Sequence, residues 1–376
     1  MRKNVLTLFG LIMVASGISV TAQQLPNNSF ESWKDACGNT EAIKQGTFSV
    51  GGMRQRPGVE PTDWNGSSVN QNVLADKTEI LITKVAGKTG NAVQAENKFV
   101  GVSTIGSNAP GYITLGTPWV NASMAIDDCD GGTYGGVAFT NKPDAITGFF
   151  KRTDETGEKS HIIAYLWNGE FSSKVGAIKD PNTDKADVDR AIFAKASAGT
   201  ITGNGKLVAS CDYEFTTTNK EWQEITVPLT YVKDAGAPEK MNVILSAADY
   251  WTRANLKAGT TLQMDDVKFV YYSKLDGLKV NGQAVEGFNA DTYSYEINST
   301  ELPTADQVET TVKGQSATAK VAVDEDAYTV TVTVSNVAAD ADGKAEHVYN
   351  TTRQLPVSAK LKLQKLKCTE RLKLSL

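Results

Sequence analysis

The stretch Gly259-Thr260-Thr261-Leu262-Gln263-Met264-Asp265-Asp266-Val267-Lys268-Phe269-Val270-Tyr271-Tyr272 decides the fold of this chain. Its apolar residues alternate with polar ones, which predicts a β-strand that buries one of its faces. The chain changes character directly afterwards, so we expect this strand to close a module. Near the other end of that module, Asn27 to Trp33 (N-N-S-F-E-S-W) predicts a companion strand that lies beside it.

The rest of the chain has the pattern of an all-β protein, with many glycines and threonines and few helix-forming runs. The segment His161 to Trp167 (H-I-I-A-Y-L-W) is apolar on both faces, so we expect a central strand that is covered on both sides. Asp35 to Gln45 is a candidate for a short helix. Strands are predicted at Glu79 to Val85, Tyr112 to Leu115, Ile146 to Lys151, His161 to Trp167, Ala191 to Ala196, Glu221 to Leu229, Asn242 to Ala247 and Leu262 to Tyr272.

A second, smaller unit is predicted at residues 274–350. Leu275 to Gln283 contains a strand followed by Asn281-Gly282, a dipeptide typical of tight hairpins. Tyr328 to Val334 alternates threonine with valine, which predicts a strand with one buried face and one wet face. Because this unit is close to the lower size limit for independent folding, we expect it to pack against the first module.

Residues 1–22 have the features of a secretory signal peptide. Arg2-Lys3 precedes an apolar run from Val5 to Val20, and Thr21-Ala22 offers a small-residue cleavage site. The apolar run is short for a membrane span, so we predict no transmembrane segment. Cleavage near Ala22 would leave a mature chain that is secreted, periplasmic or on the cell surface. An N-terminal anchor that stays attached is the alternative.

The charge of the chain is unevenly distributed. The net charge is -5, yet residues 351–376 hold seven Lys or Arg and one Glu, so the remainder is more acidic than the total suggests. An acidic body argues against nucleic-acid binding. Lys360 to Leu363 alternates and would suit an edge strand, because lysines on an edge block further pairing. We favour a disordered basic tail for residues 351–376.

The number and spacing of the cysteines and histidines limit which metal sites and catalytic sites the chain could form. Two histidines, His161 and His347, and widely spaced cysteines argue against a zinc site and against a histidine-based catalytic triad. His161 lies in the apolar segment, where a core histidine is the expected role. Four cysteines can pair in three ways in an oxidising compartment, and the sequence does not choose between them. They are Cys37, Cys129, Cys211 and Cys368.

An ordered set of short motifs covers most of the first module. They are Asn28-Ser29-Phe30-Glu31-Ser32-Trp33, Pro61-Thr62-Asp63-Trp64, Gly90-Asn91-Ala92-Val93, Gly111-Tyr112-Ile113-Thr114-Leu115-Gly116, Gly136-Val137-Ala138-Phe139, Lys142 to Lys151 (K-P-D-A-I-T-G-F-F-K) and the strand from Gly259. This set resembles the family named "putative carbohydrate metabolism domain", found in secreted proteins of Bacteroides-type bacteria.

The resemblance implies an all-β chain with two modules. Residues 23–273 would form a jelly-roll β-sandwich similar to carbohydrate-binding modules, and residues 274–350 an immunoglobulin-like or cadherin-like β-sandwich. After Tyr349 the pattern calls for one more apolar strand, which Asn350 to Gln354 does not supply clearly. The resemblance leaves the reaction, if there is one, undefined.

A carbohydrate-handling module would use aromatic rings to stack on the apolar faces of sugars, with carboxylates and amides nearby for the hydroxyls. The candidate ligand-binding residues are Trp119, Trp167, Tyr250 and Trp251. Core packing is the alternative for each of them. Trp119 and Trp251 lie in loop-like contexts, so we expect these two rings to be the most exposed.

The resemblance also implies a structural calcium ion that joins the first and last strands, with Glu31 and Asp265 as ligands. In a regular strand, Asp265 would share a face with Val267 and Phe269, and a buried carboxylate needs a partner. Ca²⁺ takes six to eight oxygen ligands, so further donors would be required. The alternative is that Asp265 and Asp266 cap backbone amides.

Together these features predict a secreted glycan-recognition protein of carbohydrate utilisation, which binds a poly- or oligosaccharide on a face of the jelly roll. The alternative is a glycoside hydrolase, which needs two carboxylates roughly 5 to 9 Å apart. A third hypothesis is a structural or adhesive cell-surface component with protein partners. Candidate acids for hydrolysis are Asp127, Asp128, Asp130, Glu155, Glu158 and Glu170, and the sequence singles out no pair.

Overall fold

The computed structural model describes residues 23–36, 41–42, 56–71, 77–121, 130–154, 157–175, 183–252, 256–297, 301–337 and 343–353. The signal peptide, Cys37, Cys129, Cys368 and most of the basic tail lie outside these residues. In the described ranges, no helix is long and apolar enough to span a membrane. Cys211 is a buried free thiol.

Strands are the main elements of the described residues between 23 and 273, which we call the front module. In chain order they are β1 (Trp33–Asp35), β2 (Glu41–Ala42), β3 (Val59–Pro61), β4 (Asn65–Gly66), β5 (Val69–Gln71), β6 (Lys77–Glu79), β7 (Ile82–Ala86), β8 (Asn91–Glu96), β9 (Lys98–Val102), β10 (Ile105–Ala109), β11 (Tyr112–Thr114), β12 (Thr117–Asn121), β13 (Asp130–Tyr134), β14 (Val137–Ala138), β15 (Ala145–Thr153), β16 (Ser160–Asn168), β17 (Phe171–Val175), β18 (Thr183–Ala186), β19 (Ile201–Gly203), β20 (Lys206–Phe215), β21 (Asn219–Pro228), β22 (Thr230–Tyr231), β23 (Lys240–Ser246) and β24 (Thr261–Val270). A helical turn, α1 (Asp189–Ile192), and a 3-10 turn (Ala196–Ala198) precede β19.

Two antiparallel sheets form the sandwich. One has the order β21-β15-β24-β8-β7, and the other has the order β22-β20-β16-β23-β11-β4 with β14 also paired to β23. One apolar cluster joins them, with Phe150, Met264 and Phe269 from the first sheet and Ile162 and Leu245 from the second. The predicted all-β fold with a β-sandwich is therefore confirmed.

The strand predicted within Gly259 to Tyr272 is β24, a central strand of the five-stranded sheet, and it carries a bulge. Thr147 pairs with Lys268 and Phe149 with Asp265, so Asp266 and Val267 together lie opposite one residue of β15. Asp266 adopts a positive φ of 48°, which aspartate tolerates better than most residues. The bulge shifts the alternation by one residue. Asp265 therefore does not share a face with Val267, as a regular strand would require.

The expectation for the N-terminal companion strand is wrong in detail. Residues 26–29 form a turn, and β1 begins only at Trp33 and pairs with β3 rather than with β24. The two ends of the module still meet, because the side-chain amide of Gln24 accepts from the backbone N–H of Phe269 at 2.8 Å and donates to its carbonyl at 2.8 Å. Phe30 and Phe269 both belong to the sandwich core.

Two other predictions of local structure are wrong. The segment Ala191 to Ala196 is not a strand, because it contains the end of α1 and the start of the 3-10 turn. The short helix predicted within Asp35 to Gln45 is contradicted where the chain is described, since Glu41–Ala42 is strand β2. Apolar spacing in such short segments does not separate helix from strand.

The prediction for His161 to Trp167 is confirmed. This segment lies in β16 between β20 and β23, and every residue of it is buried. Ile162, Ala164 and Leu166 face the sandwich core, whereas Ile163, Tyr165 and Trp167 belong to a separate apolar cluster on the outer face. A strand with two buried faces needs apolar residues at consecutive positions, which is what the sequence shows.

The described residues between 274 and 353, which we call the rear unit, form a smaller two-layer sandwich. Its strands are β25 (Lys274–Val280), β26 (Gln283–Ala284), β27 (Ser294–Ile297), β28 (Val308–Lys313), β29 (Thr318–Asp324), β30 (Thr329–Ser335) and β31 (Glu346–Arg353), with a 3-10 turn at Ala305–Gln307. They form two sheets, β26-β25-β28 and β27-β31-β30-β29. Val330, Val332, Val334 and Tyr349 are fully buried between them.

Two predictions about the rear unit can be compared with its structure. Asn281 and Gly282 both have positive φ values, 52° and 74°, as a tight turn between β25 and β26 requires. The strand that the pattern calls for after Tyr349 is present as the second half of β31, which begins at Glu346. It continues to Arg353, so Thr351 to Arg353 are strand rather than disordered tail. β31 pairs in parallel with β27 and antiparallel with β30.

Candidate functional site

The outer face of the seven-stranded sheet carries an unusual mixture of acids and rings. Residues directly opposite in an antiparallel register share a face. His161 is opposite Glu214 and Ser246, and Ile163 is opposite Asp212 and Ile244. This register places a histidine and carboxylates on the side of β16 that faces away from the sandwich core.

Aromatic side chains cover much of this outer face. Phe193, which follows α1, lies edge-on to Tyr165 with ring centroids 5.2 Å apart and contacts Trp251 at 5.0 Å. Tyr250 packs edge-on against Tyr112 at 5.5 Å and against Trp251 at 5.1 Å. The cover therefore consists of α1 with the residue after it and the loop that follows β23.

The structure separates the four predicted ligand-binding aromatics into two groups. Trp119 and Trp167 are 1% and 0% exposed, so neither presents a ring face to a ligand. For Trp119 the alternative role, core packing, is the one observed, and Arg190 covers its ring at 5.0 Å. Tyr250 and Trp251 are partly exposed at the edge of the aromatic cover.

A partly exposed part of the cover is the Trp251 corner, which we define as Phe193, Lys195, Asp212, Asp249 and Trp251. The indole N–H of Trp251 donates to Oδ2 of Asp212 at 2.7 Å. The ammonium of Lys195 lies 4.3 Å from the centroid of the Trp251 ring. The side chains of Asp212 and Asp249 are 27% and 14% exposed. The corner thus combines a fixed ring with two carboxylates that water reaches.

His161 lies beneath this corner and is fully buried. Its Nδ1 is 2.7 Å from Oδ1 of Asp212, and its Nε2 is 3.4 Å from Oδ1 of Asp249. Burial opposes ionisation of Asp212, but the hydrogen bonds from His161 and Trp251 outweigh it and lower the pKa of Asp212. At neutral pH this carboxylate is therefore ionised and can accept further hydrogen bonds.

A second acidic group lies deeper under the aromatic cover. Asp189 is fully buried and accepts from the phenol of Tyr250 at 2.5 Å and from the N–H of Thr133 at 3.0 Å. Burial raises the pKa of Asp189, and the charge of Arg190 opposes that effect. Arg190 itself binds both oxygens of Asp130, at 2.8 and 3.1 Å. These contacts fix the rings of the cover from below.

The two predicted calcium ligands, Glu31 and Asp265, meet at one turn. Both oxygens of Glu31 accept from Asn91, at 2.9 and 2.7 Å. Asp265 accepts from the N–H groups of Lys88, Thr89 and Asp266, at 2.8, 3.2 and 2.8 Å.

This arrangement matches the alternative interpretation, in which the carboxylates cap backbone amides. Each carboxylate oxygen of Glu31 and Asp265 accepts at least one N–H, which is the set of contacts that capping requires. Among the described residues, no three His, Cys, Asp or Glu side chains group as metal ligands would. The calcium site stays a prediction that a calcium titration would test.

Asp130, Glu158 and Glu170 are the acids considered for hydrolysis that lie in the described residues, and two of them are held by other groups. Asp130 is held by Arg190, and Glu158 is buried under N–H donors from Asn97, Asp249 and Lys257. Burial raises the pKa of Glu158, although those hydrogen bonds oppose it. Glu170 is exposed. Asp127, Asp128 and Glu155 lie outside the described residues.

Five residues of this site were not predicted from the sequence: His161, Phe193, Lys195, Asp212 and Asp249. The alternation in β16 places His161 on the same face as Tyr165 and Trp167. This spacing could have identified His161 as a neighbour of the predicted aromatic residue Trp167. Asp212 reaches the same face because β16 pairs with β20. Asp212 follows His161 by 51 residues, so no local sequence pattern predicts this contact.

No family model matches this chain, and no curated protein does. The chain is similar to a solved structure described as a "putative glycoside hydrolase" from Bacteroides thetaiotaomicron VPI-5482, at 16% identity and a TM-score of 0.34, over 52% of this chain and 59% of that one. A second structure with the same description, from Bacteroides vulgatus ATCC 8482, aligns at 17% identity and a TM-score of 0.38, over 66% and 97%.

A third structure, of carbohydrate-binding modules from the β-sandwich superfamily, aligns at 12% identity and a TM-score of 0.22, over 56% and 54%. The chain spans little more than half the length of the first of these structures. With identities and TM-scores this low, the likenesses support no argument about function. The family resemblance seen in the sequence motifs is not confirmed by a family model.

Proposed function

We propose that this chain is a secreted glycan-recognition protein that binds a poly- or oligosaccharide at the Trp251 corner. The observation that carries the proposal is the Trp251 ring, which is partly exposed and held in place by its hydrogen bond to Asp212. The signal-peptide features of residues 1–22 support export, with the mature chain periplasmic, on the cell surface or outside the cell.

The chemistry of the corner suits a sugar. A sugar presents C–H groups that pack on an aromatic ring and hydroxyls that donate to carboxylates. Asp212 and Asp249 offer acceptor oxygens on the same side of the front module as the ring, and Lys195 offers donors. Because the ring is already fixed, a ligand would bind without the entropic cost of ordering it.

Substitution of Trp251 tests the proposal. The mature protein is screened on an array of plant, host and bacterial glycans, and hits are measured by calorimetry with wild type and Trp251→Ala. We expect affinity to fall at least about tenfold, which corresponds to about 1.4 kcal/mol, because the stacking surface is lost. Trp251→Phe keeps a ring but loses the bond to Asp212, and should lie between the two.

Phe99→Ala is the matched control, because Phe99 is an aromatic residue 39% exposed on β9, outside the corner. Its affinity should equal that of the wild type, and circular dichroism should show all variants folded. No binding across the whole array, or equal affinity for Trp251→Ala and wild type, would contradict the proposal.

A glycoside hydrolase is the alternative, and the geometry of the corner argues against it. Asp212 and Asp249 flank one imidazole ring, so the space between them is filled by His161 rather than open to a sugar. An inverting enzyme needs room for a sugar and a water between acids roughly 6.5 to 9.5 Å apart. Release of reducing ends from polysaccharide pools, abolished in Asp212→Asn, would favour the hydrolase instead.

A further inference from the structure

His161 contacts both carboxylates of the Trp251 corner at once. Its Nδ1 lies 2.7 Å from Asp212, whereas its Nε2, 3.4 Å from Asp249, has no hydrogen-bond partner among the residues that the structure describes. The ring is fully buried, so water does not readily substitute for a missing partner. A buried polar atom that faces a carboxylate without a hydrogen bond is costly.

Both aspartates that contact His161 are connected to Trp251. The second oxygen of Asp212 accepts the Trp251 indole N–H at 2.7 Å, so His161, Asp212 and Trp251 form a continuous chain of hydrogen bonds. Asp249 precedes Trp251 by two residues in the same loop. One imidazole therefore contacts the carboxylate that holds the indole and the carboxylate at the start of the loop.

The number of protons on the imidazole decides how many of these contacts are attractive. A neutral imidazole has one N–H and one lone pair, so it donates to one carboxylate and turns its lone pair toward the other. An imidazolium donates from both nitrogens, and hydrogen bonds between charged groups are the stronger kind. Imidazole is the side chain whose charge normally changes between about pH 5 and pH 8.

We propose that His161 is a positioning residue whose protonation locks the Trp251 corner, so that the corner is ordered at acidic pH and loosens as the imidazole becomes neutral. Only the ligand-affinity part of this inference rests on the proposed function. The locking itself is a property of the His161, Asp212, Asp249 and Trp251 side chains.

The other charged groups around the imidazole do not compete for its nitrogens. Glu158 accepts the backbone N–H of Asp249, and Lys159 is paired with Glu214 at 2.6 Å. Lys195 lies over the Trp251 ring. In the described part of the chain, the charged groups that contact the imidazole nitrogens are thus the two aspartates, Asp212 from β20 and Asp249 from the loop after β23. The lowered pKa of Asp212, which persists against burial, agrees with an ionised partner for His161.

The test follows the indole N–H signal of Trp251 by NMR between pH 5 and pH 8. It uses the full mature chain with His347→Gln, which leaves His161 as the sole imidazole because the sequence has two histidines. We expect the indole signal to shift with the same midpoint as the His161 ring signals, and its exchange with solvent to be faster above that midpoint. An indole signal that stays constant while His161 titrates would overturn the proposal.

Asp249→Asn provides the matched variant, because it removes the charge that faces Nε2 without changing the buried histidine. We expect the pH-dependent shift of the indole signal to become smaller in this variant. Asp276→Asn, an exposed aspartate of the rear unit, should leave the shift unchanged. A shift of wild-type size in Asp249→Asn would contradict the role given to the second contact.

The affinity for a neutral glycan identified on the array then tests whether protonation of His161 affects ligand binding. This affinity should be at least about threefold higher at pH 5 than at pH 8. If the indole responds to pH but no glycan binds at any pH, the lock stands and the proposed function fails. If a glycan binds equally at both pH values and the indole signal is constant, the proposed function stands and the lock fails.

Discussion

At the scale of single residues, Asp265 shows how a carboxylate stabilises a turn far away in the sequence. It lies in β24, yet its three hydrogen-bond donors include Lys88 and Thr89 in the turn between β7 and β8. Gly90 in the same turn has φ +65°, and a Cβ there would collide with the carboxylate of Glu31. The conformation of the turn thus depends on two acids from opposite ends of the front module.

Replacing Asp265 by alanine should lower the free energy of unfolding by about 1–3 kcal/mol, because buried backbone amides lose their acceptor. Asp265→Asn keeps one acceptor oxygen and should cost less. Chemical denaturation monitored by circular dichroism measures both. Glu221→Ala, at an exposed position on the edge strand β21, is the control and should change stability little. An equal effect of Asp265→Ala and Glu221→Ala would refute the capping role.

At the scale of elements, the short segment from α1 to Lys195 has a larger role than its length suggests. β16 is apolar on both faces, and the five-stranded sheet covers only its inner face, so its outer face must be covered by other elements. Phe193 provides part of that cover by packing on Tyr165 and Trp251. A covering segment made of one helical turn relies on side-chain packing, since so short a helix has little stability of its own.

Phe193→Ala should therefore destabilise the front module by about 3–5 kcal/mol at most, and less if the neighbouring rings relax into the space. Thermal unfolding provides the measurement, and hydrogen exchange of β16 amides shows whether the outer face opens. Ile201→Ala in β19 is the matched control, because Ile201 is 39% exposed. Unchanged exchange in β16 and an unchanged melting temperature would show that Phe193 is not part of the cover.

At the scale of the whole molecule, one buried aspartate connects the front module to the rear unit. Asp144 accepts the backbone N–H of Tyr272 and that of Gln315, both at 2.7 Å. Asn336 donates to the Tyr272 carbonyl at 2.6 Å, and Lys313 lies 4.2 Å from the Tyr272 ring. These contacts place residues of the rear unit directly against the start of β15 and the end of β24.

Asp144→Ala should uncouple the proposed two modules, because both amides lose their acceptor at a cost of about 1–3 kcal/mol. We expect calorimetry to show unfolding that separates into two transitions, whereas Asp276→Ala, in the rear unit but exposed, should behave as the wild type. A single transition at the wild-type temperature in Asp144→Ala would show that Asp144 does not couple the unfolding of the front module to that of the rear unit.

The same substitution has a pH dependence of known sign. Burial raises the pKa of Asp144, although hydrogen bonds from Tyr272 and Gln315 oppose it. A raised pKa means that the folded chain binds this proton more tightly than the unfolded chain. The stability that protonated Asp144 contributes is therefore present at acidic pH and is lost as the pH rises through the raised pKa. The cost of Asp144→Ala, measured by denaturant unfolding, should therefore be larger near about pH 4 than near pH 7.

Much of the architecture could be predicted because it depends on periodicity. The alternation in β24 and β30 and the two-faced apolar run of β16 follow from which residues are buried on each face of a strand. The Asn281-Gly282 turn was equally predictable, because few residues other than asparagine and glycine adopt the required positive φ. These are local relations, so the sequence by itself determined them.

The candidate site depended on relations that are not local. The bulge at Asp266 changed the face of Asp265, and the pairing of β16 with β20 brought His161 to Asp212. The exposure of the two tryptophans likewise depends on distant residues, because Arg190 lies over Trp119 and Phe193 packs against Trp251. The sequence alone determined an all-β sandwich and its central strands. Only the tertiary structure decided which acids and rings meet, because register and cover depend on contacts between segments far apart in the chain.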